Sequence, residues 1–155
     1  MEEIKIHLKR VREDPSLPLP RYMTQGSSGM DLCAFLPEEV TLHPGERRLI
    51  PTGIALAIPE GFEGQIRARS GWALQKGIGL VNGIGTIDSD YRGEVAVLLI
   101  NMGQEPVTIR HGDRIAQLVI TKVFRSTLIE VEELPASPRQ EGGFGHTGRG
   151  PGGGP

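Results

Sequence analysis

Apolar and polar residues alternate along most of this chain with the two-residue period of half-buried β-strands. In residues 4–11, Ile4, Ile6 and Leu8 alternate with polar side chains. Comparable alternation or a short apolar run predicts further strands over residues 30–35, 48–59, 64–69 and 78–83. Residues 70–77 favour a helix of one or two turns, and it is the only plausible helix in the pattern.

The second half of the chain predicts three more β elements. Residues 94–101 are apolar at both alternating sets of positions, which predicts a strand in the interior of the fold. Residues 105–124 predict a hairpin that turns at residues 111–113. Residues 127–134 predict a last strand before a proline-containing stretch.

Composition favours an all-β fold. The chain has 155 residues, which suits one domain, and it contains 22 glycines and 12 prolines. Glycine and proline cost about 1 and 3 kcal/mol in helix interiors, so a helical bundle would not tolerate this composition. Turn signals recur roughly every 8–12 residues, the spacing typical of an all-β sandwich or barrel.

Charge and cysteine content limit the partners and the location. The net charge of -2 argues against a general nucleic-acid-binding surface. No apolar run approaches membrane-spanning length, and the charged N-terminus lacks the apolar region of a signal peptide. The single cysteine, Cys33, rules out an intramolecular disulfide and fits a reducing compartment. We therefore expect a cytoplasmic protein with no nucleic-acid or membrane partner.

The C-terminal segment predicts an arm separate from the β domain, which we expect over residues 1–138. Residues 139–155 are rich in glycine and cannot offset the entropy of ordering by themselves. Yet Arg139, Phe144 and Thr147 lie among the glycines. A guanidinium, an aromatic ring and a hydroxyl could hold phosphate oxygens and stack on a base. A bound ligand could therefore order this arm as a lid.

Two motifs that look like ligand sites fail on their context. The sequence GFGHTG at 143–148 matches a dinucleotide-binding pattern, but it lacks the preceding strand and the following helix. The sequence DSDYRG begins like a calcium loop, but Arg92 stands at a ligand position and Leu99 replaces the final glutamate. The four histidines are scattered without metal-ligand spacing.

Arg69, Ser70 and Gly71 stand where a strand gives way to the predicted helix. Backbone N–H groups at a helix start, a hydroxyl and a guanidinium together would suit a phosphate. Taken alone, a capped helix with a solvated arginine explains this stretch better.

Asp88 and Asp90 flank a serine and precede Tyr91. One of the acids could act as a general base for water, and the tyrosine could be a flat platform for a ring. The alternative is ordinary turn chemistry, since aspartate is common in turns, with a tyrosine in the core.

Five segments together resemble the five motifs of the homotrimeric dUTPases (dUTP diphosphatases). They are SSGMDLCA (27–34), RARSGWAL (67–74), VNGIGTIDSDYRGEV (81–95), RHGDRIAQLV (110–119) and RQEGGFGHTG (139–148). The resemblance implies a β jelly roll with one short helix, assembled as a homotrimer whose active sites use more than one subunit. It also implies Mg²⁺-dependent hydrolysis of dUTP to dUMP and diphosphate, which limits uracil incorporation into DNA and supplies dUMP for thymidylate synthesis.

The same resemblance implies roles for individual residues. Asp88 would be the catalytic base for the attacking water, and Tyr91 would pack under the deoxyribose and exclude a 2′-hydroxyl. Asn82 and main-chain groups near Ala96 would recognise the uracil edge. Asp31 would act through water near a magnesium ion that no protein side chain binds directly. The full set of implied substrate-binding residues is Arg69, Ser70, Gly71, Asn82, Thr86, Ile87, Asp88, Tyr91, Ala96, Gln117, Arg139, Phe144, Gly145 and Thr147.

Within that set, the phosphates would be held by Arg69, Ser70, Gly71 and Gln117. The arm would close over the site, with Phe144 on the uracil and with Arg139 and Thr147 toward the terminal phosphates. Three positions depart from the family pattern, namely Trp72, Gln140 and His146. The histidine could add a pH-dependent phosphate contact, because its side chain titrates near neutral pH.

Two other functions stay open at this point. A dCTP deaminase of the same superfamily would share the jelly roll but needs an acid–base carboxylate beside the amino group of cytosine. Glu94 is the only candidate in the uracil-recognising hairpin, and it belongs to the YRGE motif. A non-catalytic nucleotide-binding jelly roll would predict damage to Asp88, Tyr91 or the arm, and all three are intact.

Overall fold

This computed structural model describes residues 3–144, which contain ten strands and one helix. In chain order they are β1 (His7–Arg10), β2 (Met30–Cys33), β3 (Val40–Leu42), β4 (Arg47–Ala57), β5 (Phe62–Arg67), α1 (Ser70–Lys76), β6 (Ile78–Leu80), β7 (Gly85–Ile87), β8 (Glu94–Asn101), β9 (Val107–Ile109) and β10 (Arg114–Lys122). The prediction of an all-β fold with one short helix is confirmed.

Most strands belong to two antiparallel sheets. One has the order β1-β4-β8-β6 and the other has the order β2-β10-β5-β7, while β3 and β9 form a separate pair. Strands that follow each other in the chain, such as β4 and β5, therefore lie in different sheets. β5 pairs with β7 so that Gly64 lies opposite Ile87 and Ile66 lies opposite Gly85. This register determines where the segments that follow both strands leave the sheet.

A single apolar cluster draws side chains from both sheets. Residues from β4 and β8 pack in the same cluster as residues from β2, β5 and β10. The members with the least exposure include Leu32, Leu42, Ile50, Val95, Val97, Leu99, Ile115 and Leu118. Each such side chain contributes about 1.5–3 kcal/mol when it is fully buried, so this cluster fixes the positions of the strand ends that carry functional residues.

The helix is confirmed at Ser70–Lys76. It ends at Gly77, whose φ of 69° is the left-handed conformation that glycine commonly supplies at helix C-termini. The helix follows β5 after a two-residue gap, so Ser70 and Gly71 lie exposed just beyond the end of that strand.

The predicted hairpin over residues 105–124 is wrong in its pairing. β9 pairs with β3, whereas β10 pairs with β2 and β5. The turn itself is present, because the N–H of Arg110 donates to the Asp113 carboxylate and the N–H of Asp113 donates to the Arg110 carbonyl. Ala34 directs the chain into the second sheet, since it donates to the carbonyl of Asp113 and accepts from the N–H of Gly112.

The predicted last strand over residues 127–134 is also wrong. No strand occurs within residues 123–144, and the side chains of Leu128, Ile129 and Leu134 are exposed. A strand requires a neighbouring backbone to pair with, and alternation in the sequence does not supply one.

β8 is interior on one face only. Val95, Val97 and Leu99 are at most 1% exposed, whereas Ala96, Leu98 and Ile100 on the opposite face are half-buried. The prediction of an interior strand is therefore wrong for the second face, because nothing in residues 3–144 covers it completely.

The chain divides into two compact units, Met1–Phe124 and Arg125–Pro155. This division falls before the boundary expected after residue 138, which stays a prediction. Within residues 3–144, no helix is long and apolar enough to cross a membrane.

Candidate active site

A pocket of about 280 Å³ opens beside β7 and the start of β8. Leu49, Ile66 and Val95 form part of its apolar wall. Six of the predicted substrate-binding residues line it, namely Asn82, Thr86, Ile87, Asp88, Tyr91 and Ala96. Typical small-molecule sites begin at ~300 Å³, so this pocket has room for a ring system and little more.

The turn from β6 to β7 carries Asn82. The N–H of Gly83 donates to the Leu80 carbonyl at 3.1 Å, and Gly83 has a φ of 69°, which glycine adopts without steric cost. A Cβ at Gly85 would lie 3.3 Å from Nδ2 of Asn82, so the side-chain amide lies close over the start of β7. An amide in this place offers both a donor and an acceptor to a flat heterocycle.

The turn after β7 carries Asp88 and Tyr91. The N–H of Tyr91 donates to the Asp88 carbonyl at 3.1 Å, and Nη1 of Arg92 donates to the Ser89 carbonyl at 2.7 Å. The Tyr91 hydroxyl donates to the carbonyl of Glu94 at 3.0 Å. These bonds fix the tyrosine ring, which is 46% exposed and can pack against a ligand.

Two carboxylates line the pocket, and their surroundings differ. Glu94 accepts hydrogen bonds from Nε of Arg12 at 2.7 Å, from Nη2 of Arg12 at 2.9 Å and from the N–H of Gly53 at 2.9 Å. The hydrogen bonds from Arg12, with that from Gly53, hold the pKa of Glu94 below its usual value although burial acts to raise it.

Asp88 is exposed, and its carboxylate has no hydrogen-bond or ion-pair partner among residues 3–144. A general base needs an open lone pair within reach of the proton that it abstracts. Of the two carboxylates in the pocket, Asp88 is therefore the one that can accept a proton from water.

A second group of predicted site residues surrounds Asp31, which is 8% exposed. The carboxylate faces Nε of Arg69 at 3.5 Å and accepts from Nη1 of Arg114 at 3.1 Å and from Nε2 of Gln117 at 3.3 Å. Nη1 of Arg69 also donates to the carbonyl of Arg114 at 3.0 Å. This anchored guanidinium stands beside the exposed Ser70, so the cluster can present positive charge and a hydroxyl to an anion.

The two groups lie toward opposite ends of the β5–β7 pair. Asp88 follows Ile87, which pairs with Gly64, whereas Arg69 lies five residues beyond Gly64 along the chain. Because the strands are antiparallel, Asp88 lies one residue beyond Ile87 in the opposite direction, so the offset between Asp88 and Arg69 is six residues, or about 20 Å at the rise of a strand. Arg69, Ser70, Gly71 and Gln117 are not among the described residues that line the pocket.

The arm contains two predicted site residues that the structure describes. Arg139 Nε donates to the Gly142 carbonyl, and Phe144 is fully exposed. Gln140 and Phe144 have φ values of 46° and 49°, unusual for residues other than glycine. Gly145, His146 and Thr147 lie outside the described residues, so their predicted roles stay predictions.

Sequence reasoning missed three residues that the structure ties to these groups. Arg114 contacts Asp31, and its place three residues before Gln117 in the GDRIAQ motif was the available signal. The sequence suggests Glu94 only as an acid for deamination. Arg12 could not be found from sequence, because 82 residues separate it from its partner Glu94.

The donor set fits a magnesium ion only indirectly. Among the described residues, no group of three or more His, Cys, Asp or Glu side chains is arranged to hold a metal. The oxygens of Asp31 already face Arg69, Arg114 and Gln117. A Mg²⁺ ion here would take its inner oxygen ligands from phosphates and water, as it commonly does, and would contact Asp31 through water.

Comparison with known proteins gives consistent matches. The dUTPase family model matches residues 16–148. The deoxyuridine 5′-triphosphate nucleotidohydrolase of Anaeromyxobacter sp. is 60% identical over 147 residues, which cover 94% of this chain and 99% of that relative. The enzyme of the same name from Caldanaerobacter subterraneus subsp. tengcongensis is 54% identical over 145 residues, or 94% and 98% of the two chains.

Solved structures share the fold. A mutant dUTPase of Staphylococcus bacteriophage 80alpha with dUpNHpp superimposes with a TM-score of 0.83 at 26% identity, over 94% of this chain and 99% of that one. A mutant dUTPase from phage phi11 of S. aureus, in which a structural Mg(II) ion is coordinated, gives a TM-score of 0.74 at 24% identity, over 84% and 98% of the two chains. The predicted jelly-roll β fold is confirmed.

Proposed function

The chain belongs to the dUTPase family, and from this we propose that it hydrolyses dUTP to dUMP and diphosphate in the presence of Mg²⁺. The observation that carries the proposal is the difference between the two carboxylates of the pocket. Glu94 is held by three hydrogen bonds, whereas Asp88 has none from the described residues and faces the same space. The contacts of Glu94 favour its ionised form and occupy both oxygens, whereas Asp88 is open to a water molecule.

Asp88 orients the attacking water and takes its proton. The water oxygen forms a bond to the phosphorus of the first phosphate. The bond from that phosphorus to the oxygen it shares with the second phosphate breaks, and diphosphate leaves. Such a reaction depends on positioning and on stabilising charge more than on covalent chemistry by the protein. The exposed position of Asp88 directly after β7, whose register is fixed by β5, supplies that positioning.

The pocket holds the nucleoside. Asn82 and the main chain near Ala96 pair with the uracil edge, and Thr86 and Ile87 line the space between them. Tyr91 packs under the deoxyribose, and its hydrogen bond to the Glu94 carbonyl keeps the ring from moving aside for a 2′-hydroxyl. A base with the wrong donors and acceptors leaves buried polar groups unpaired, which is an effective means of discrimination.

The phosphates bind to Arg69, Ser70, Gly71 and Gln117 of a neighbouring copy. Within one chain Arg69 lies about 20 Å along the sheet from Asp88, too far for both residues to contact one triphosphate chain at its reacting end. The half-buried apolar face of β8 offers a surface that a second copy would cover. Both features support active sites that combine residues of different subunits, and the family to which the chain belongs usually assembles as a homotrimer.

Magnesium fits this arrangement as an ion held by the triphosphate. Its charge offsets that of the phosphate oxygens when it is bound. Asp31 takes the outer-shell position, because its carboxylate is buried and its oxygens already face the guanidinium groups of Arg69 and Arg114. It would therefore contact the ion through a water molecule.

The arm acts as a lid. Phe144 and Gly145 cover the uracil, while Arg139 and Thr147 reach the terminal phosphates. A closed lid excludes water and positions the phosphate chain for attack. The complete exposure of the Phe144 ring supports this role, because an apolar ring without cover gains from stacking on a base.

Deamination of dCTP is not favoured. That reaction needs a carboxyl group that can carry and deliver a proton beside the pyrimidine, and Glu94 is the candidate. Its contacts with Arg12 and Gly53 favour the ionised form and occupy both oxygens.

We also place the enzyme in the cytoplasm, with no nucleic-acid or membrane partner, on the basis of its charge and composition.

The proposal is tested by incubating the full-length protein with Mg²⁺ and, in parallel, dUTP, dCTP, dTTP or UTP. Diphosphate and ammonia are both measured. We expect diphosphate from dUTP and little from the others. Ammonia from dCTP would move the protein to the deaminases, and no product from a folded protein would refute an enzymatic function.

A further inference from the structure

We infer that Arg12 is a positioning residue for the nucleoside pocket, through which the enzyme's preference for deoxyribose over ribose is maintained. The inference rests on the proposed function and adds to it a residue outside the five motifs. Arg12 is not among the described residues that line the pocket, so any effect on the substrate has to pass through another residue. That residue is Glu94.

Arg12 binds Glu94 with two parallel hydrogen bonds. Nε donates to Oε1 at 2.7 Å and Nη2 donates to Oε2 at 2.9 Å. Two-point pairing of a guanidinium with a carboxylate restricts rotation as well as distance, unlike a single contact from lysine. The segment after β1 is thereby fastened to the first residue of β8, across β4, which lies between the two strands in the sheet.

An irregularity in β4 makes this contact possible. The register of β4 on β8 shifts between Pro51 and Ala55, and Gly53 within the shift has a φ of 74°. The N–H of Gly53 turns to Oε1 of Glu94 at 2.9 Å, and its carbonyl accepts from the N–H of Val11 at 2.9 Å. The same glycine therefore binds both the carboxylate and the residue preceding Arg12.

Phe35 supports the guanidinium from another direction. Cζ of Arg12 lies 5.4 Å from the centroid of the ring, within the range of cation–π contact. A Cβ at Gly53 would lie 2.8 Å from Cδ2 of Phe35, so the ring packs directly on the bulge. Arg12 is thus oriented before it meets Glu94.

Glu94 passes this order to Tyr91. The Tyr91 hydroxyl donates to the Glu94 carbonyl at 3.0 Å, and a Cβ at Gly93 would fall among the atoms of the tyrosine ring. The ring therefore rests on the backbone of residues 93–94. If Glu94 loses its side-chain partners, this backbone is less restrained, and the ring can shift toward the position that admits a 2′-hydroxyl.

A purely structural role for Arg12 predicts that its replacement leaves the ratio of activity on dUTP and UTP unchanged. The Arg12 side chain is 42% exposed, and ion pairs with such exposure contribute little to global stability. Replacing Arg12 is therefore expected to leave the protein folded while changing the pocket. The ratio of activity on dUTP and UTP measures the pocket and is insensitive to a uniform loss of folded enzyme.

The experiment compares the full-length wild type with Arg12→Ala, Arg12→Lys and the control Arg10→Ala. Arg10 lies two residues away and donates to the carbonyl of Asp14 instead of Glu94. kcat/KM is measured for dUTP and UTP, and the Kd values of dUMP and UMP are measured by calorimetry. We expect Arg12→Ala to reduce the preference for the deoxy compounds roughly tenfold, both in the ratio of kcat/KM for dUTP to that for UTP and in the ratio of the Kd of UMP to that of dUMP. Arg12→Lys should fall between it and the wild type, and Arg10→Ala should match the wild type.

Unchanged ratios in Arg12→Ala would overturn the inference while leaving the proposed function intact. If Arg12→Ala does not fold, Arg12→Lys decides, and wild-type ratios in that variant would count against positioning. Failure of the wild type itself to hydrolyse dUTP would overturn the proposed function and this inference with it.

Discussion

Asp88 and Glu94 show how surroundings assign different roles to two similar side chains in one pocket. Both residues are acidic and line the same cavity. Three donors occupy Glu94, while Asp88 is open. Residue chemistry alone left Asp88 and Asp90 as alternative bases, and only the family resemblance selected Asp88. The long-range donors that distinguish Glu94 cannot be read from a linear motif.

Replacing Asp88 with Asn should reduce kcat by about 10²–10⁴-fold with little change in the affinity for dUTP, because an amide cannot accept the proton from water. Steady-state kinetics and calorimetry with dUTP check the two quantities. Asp90→Asn is the control, since Asp90 belongs to the same turn but is not among the residues lining the pocket. Near-normal turnover in Asp88→Asn would remove this residue as the base.

Gly53 is a second position at which one residue decides local structure. Its φ is positive, and a Cβ there would approach Phe35 to 2.8 Å. Gly53→Ala should lower the free energy of unfolding by about 2–5 kcal/mol, the sum of about 1–2 kcal/mol of left-handed strain and about 1–3 kcal/mol of overpacking. Gly61→Ala, with a φ of 85° and nothing within 4 Å of the added Cβ, should cost only the left-handed strain of about 1–2 kcal/mol. Urea denaturation measures both, and equal losses would show that contact with Phe35 is unimportant.

At the scale of elements, periodicity predicted where strands occur better than how they pair. The alternation in residues 4–11 and 48–59 corresponds to β1 and β4. The predicted pairing of β9 with β10 is wrong, because the chain after the turn forms hydrogen bonds with Ala34, which is distant in sequence. The strand expected at 127–134 was wrong because a pattern of apolar residues cannot specify a partner.

The ion pair between the segment after β1 and the start of β8 predicts a pH dependence. The pKa of Glu94 is lowered in the folded protein from the usual 4.5, so its ionised form stabilises the fold above that value. The stabilisation is lost as the pH falls through the lowered pKa, because Glu94 then becomes protonated. Urea denaturation of wild type and Glu94→Gln at a series of pH values should show a small stability difference at pH 6 to 7 that shrinks as the pH falls below 4.5. A difference independent of pH would contradict this account.

The arm predicts a separation of stability from activity. Removing residues 139–155 should leave the unfolding midpoint nearly unchanged and reduce kcat/KM for dUTP by at least about 10²-fold, because the lid no longer excludes water or holds the phosphates. Thermal denaturation and steady-state kinetics check the two effects. A truncation that removes only residues 149–155, after the last predicted contact, is the control. Full activity without the arm would refute its role as a lid.

For the whole molecule, the family and the fold could be predicted from the sequence. Within a single chain, however, the predicted site residues fall into two separate groups. The motifs place Asp88 and Arg69 on one chain, yet the β5–β7 register directs them toward opposite ends of the sheet. β8 also indicates that a second copy is needed, since it is apolar on two faces and fully buried on only one. Both observations have one explanation if neighbouring copies cover the second face and supply the phosphate-binding residues.

Mixed assemblies test that explanation directly. Asp88→Asn and Arg69→Gln chains are each expected to be nearly inactive, and they are unfolded together and refolded as a mixture. If Asp88 and Arg69 of one site come from different copies, about one quarter of the sites in random assemblies contain both intact residues, and activity should return to about that fraction. The matched control mixes Asp88→Asn with Tyr91→Ala. These two residues line one pocket of one chain, so no mixed site is intact. Activity that stays at the level of the separate variants in the first mixture, while native mass spectrometry shows mixed assemblies, would mean that each chain builds its site alone.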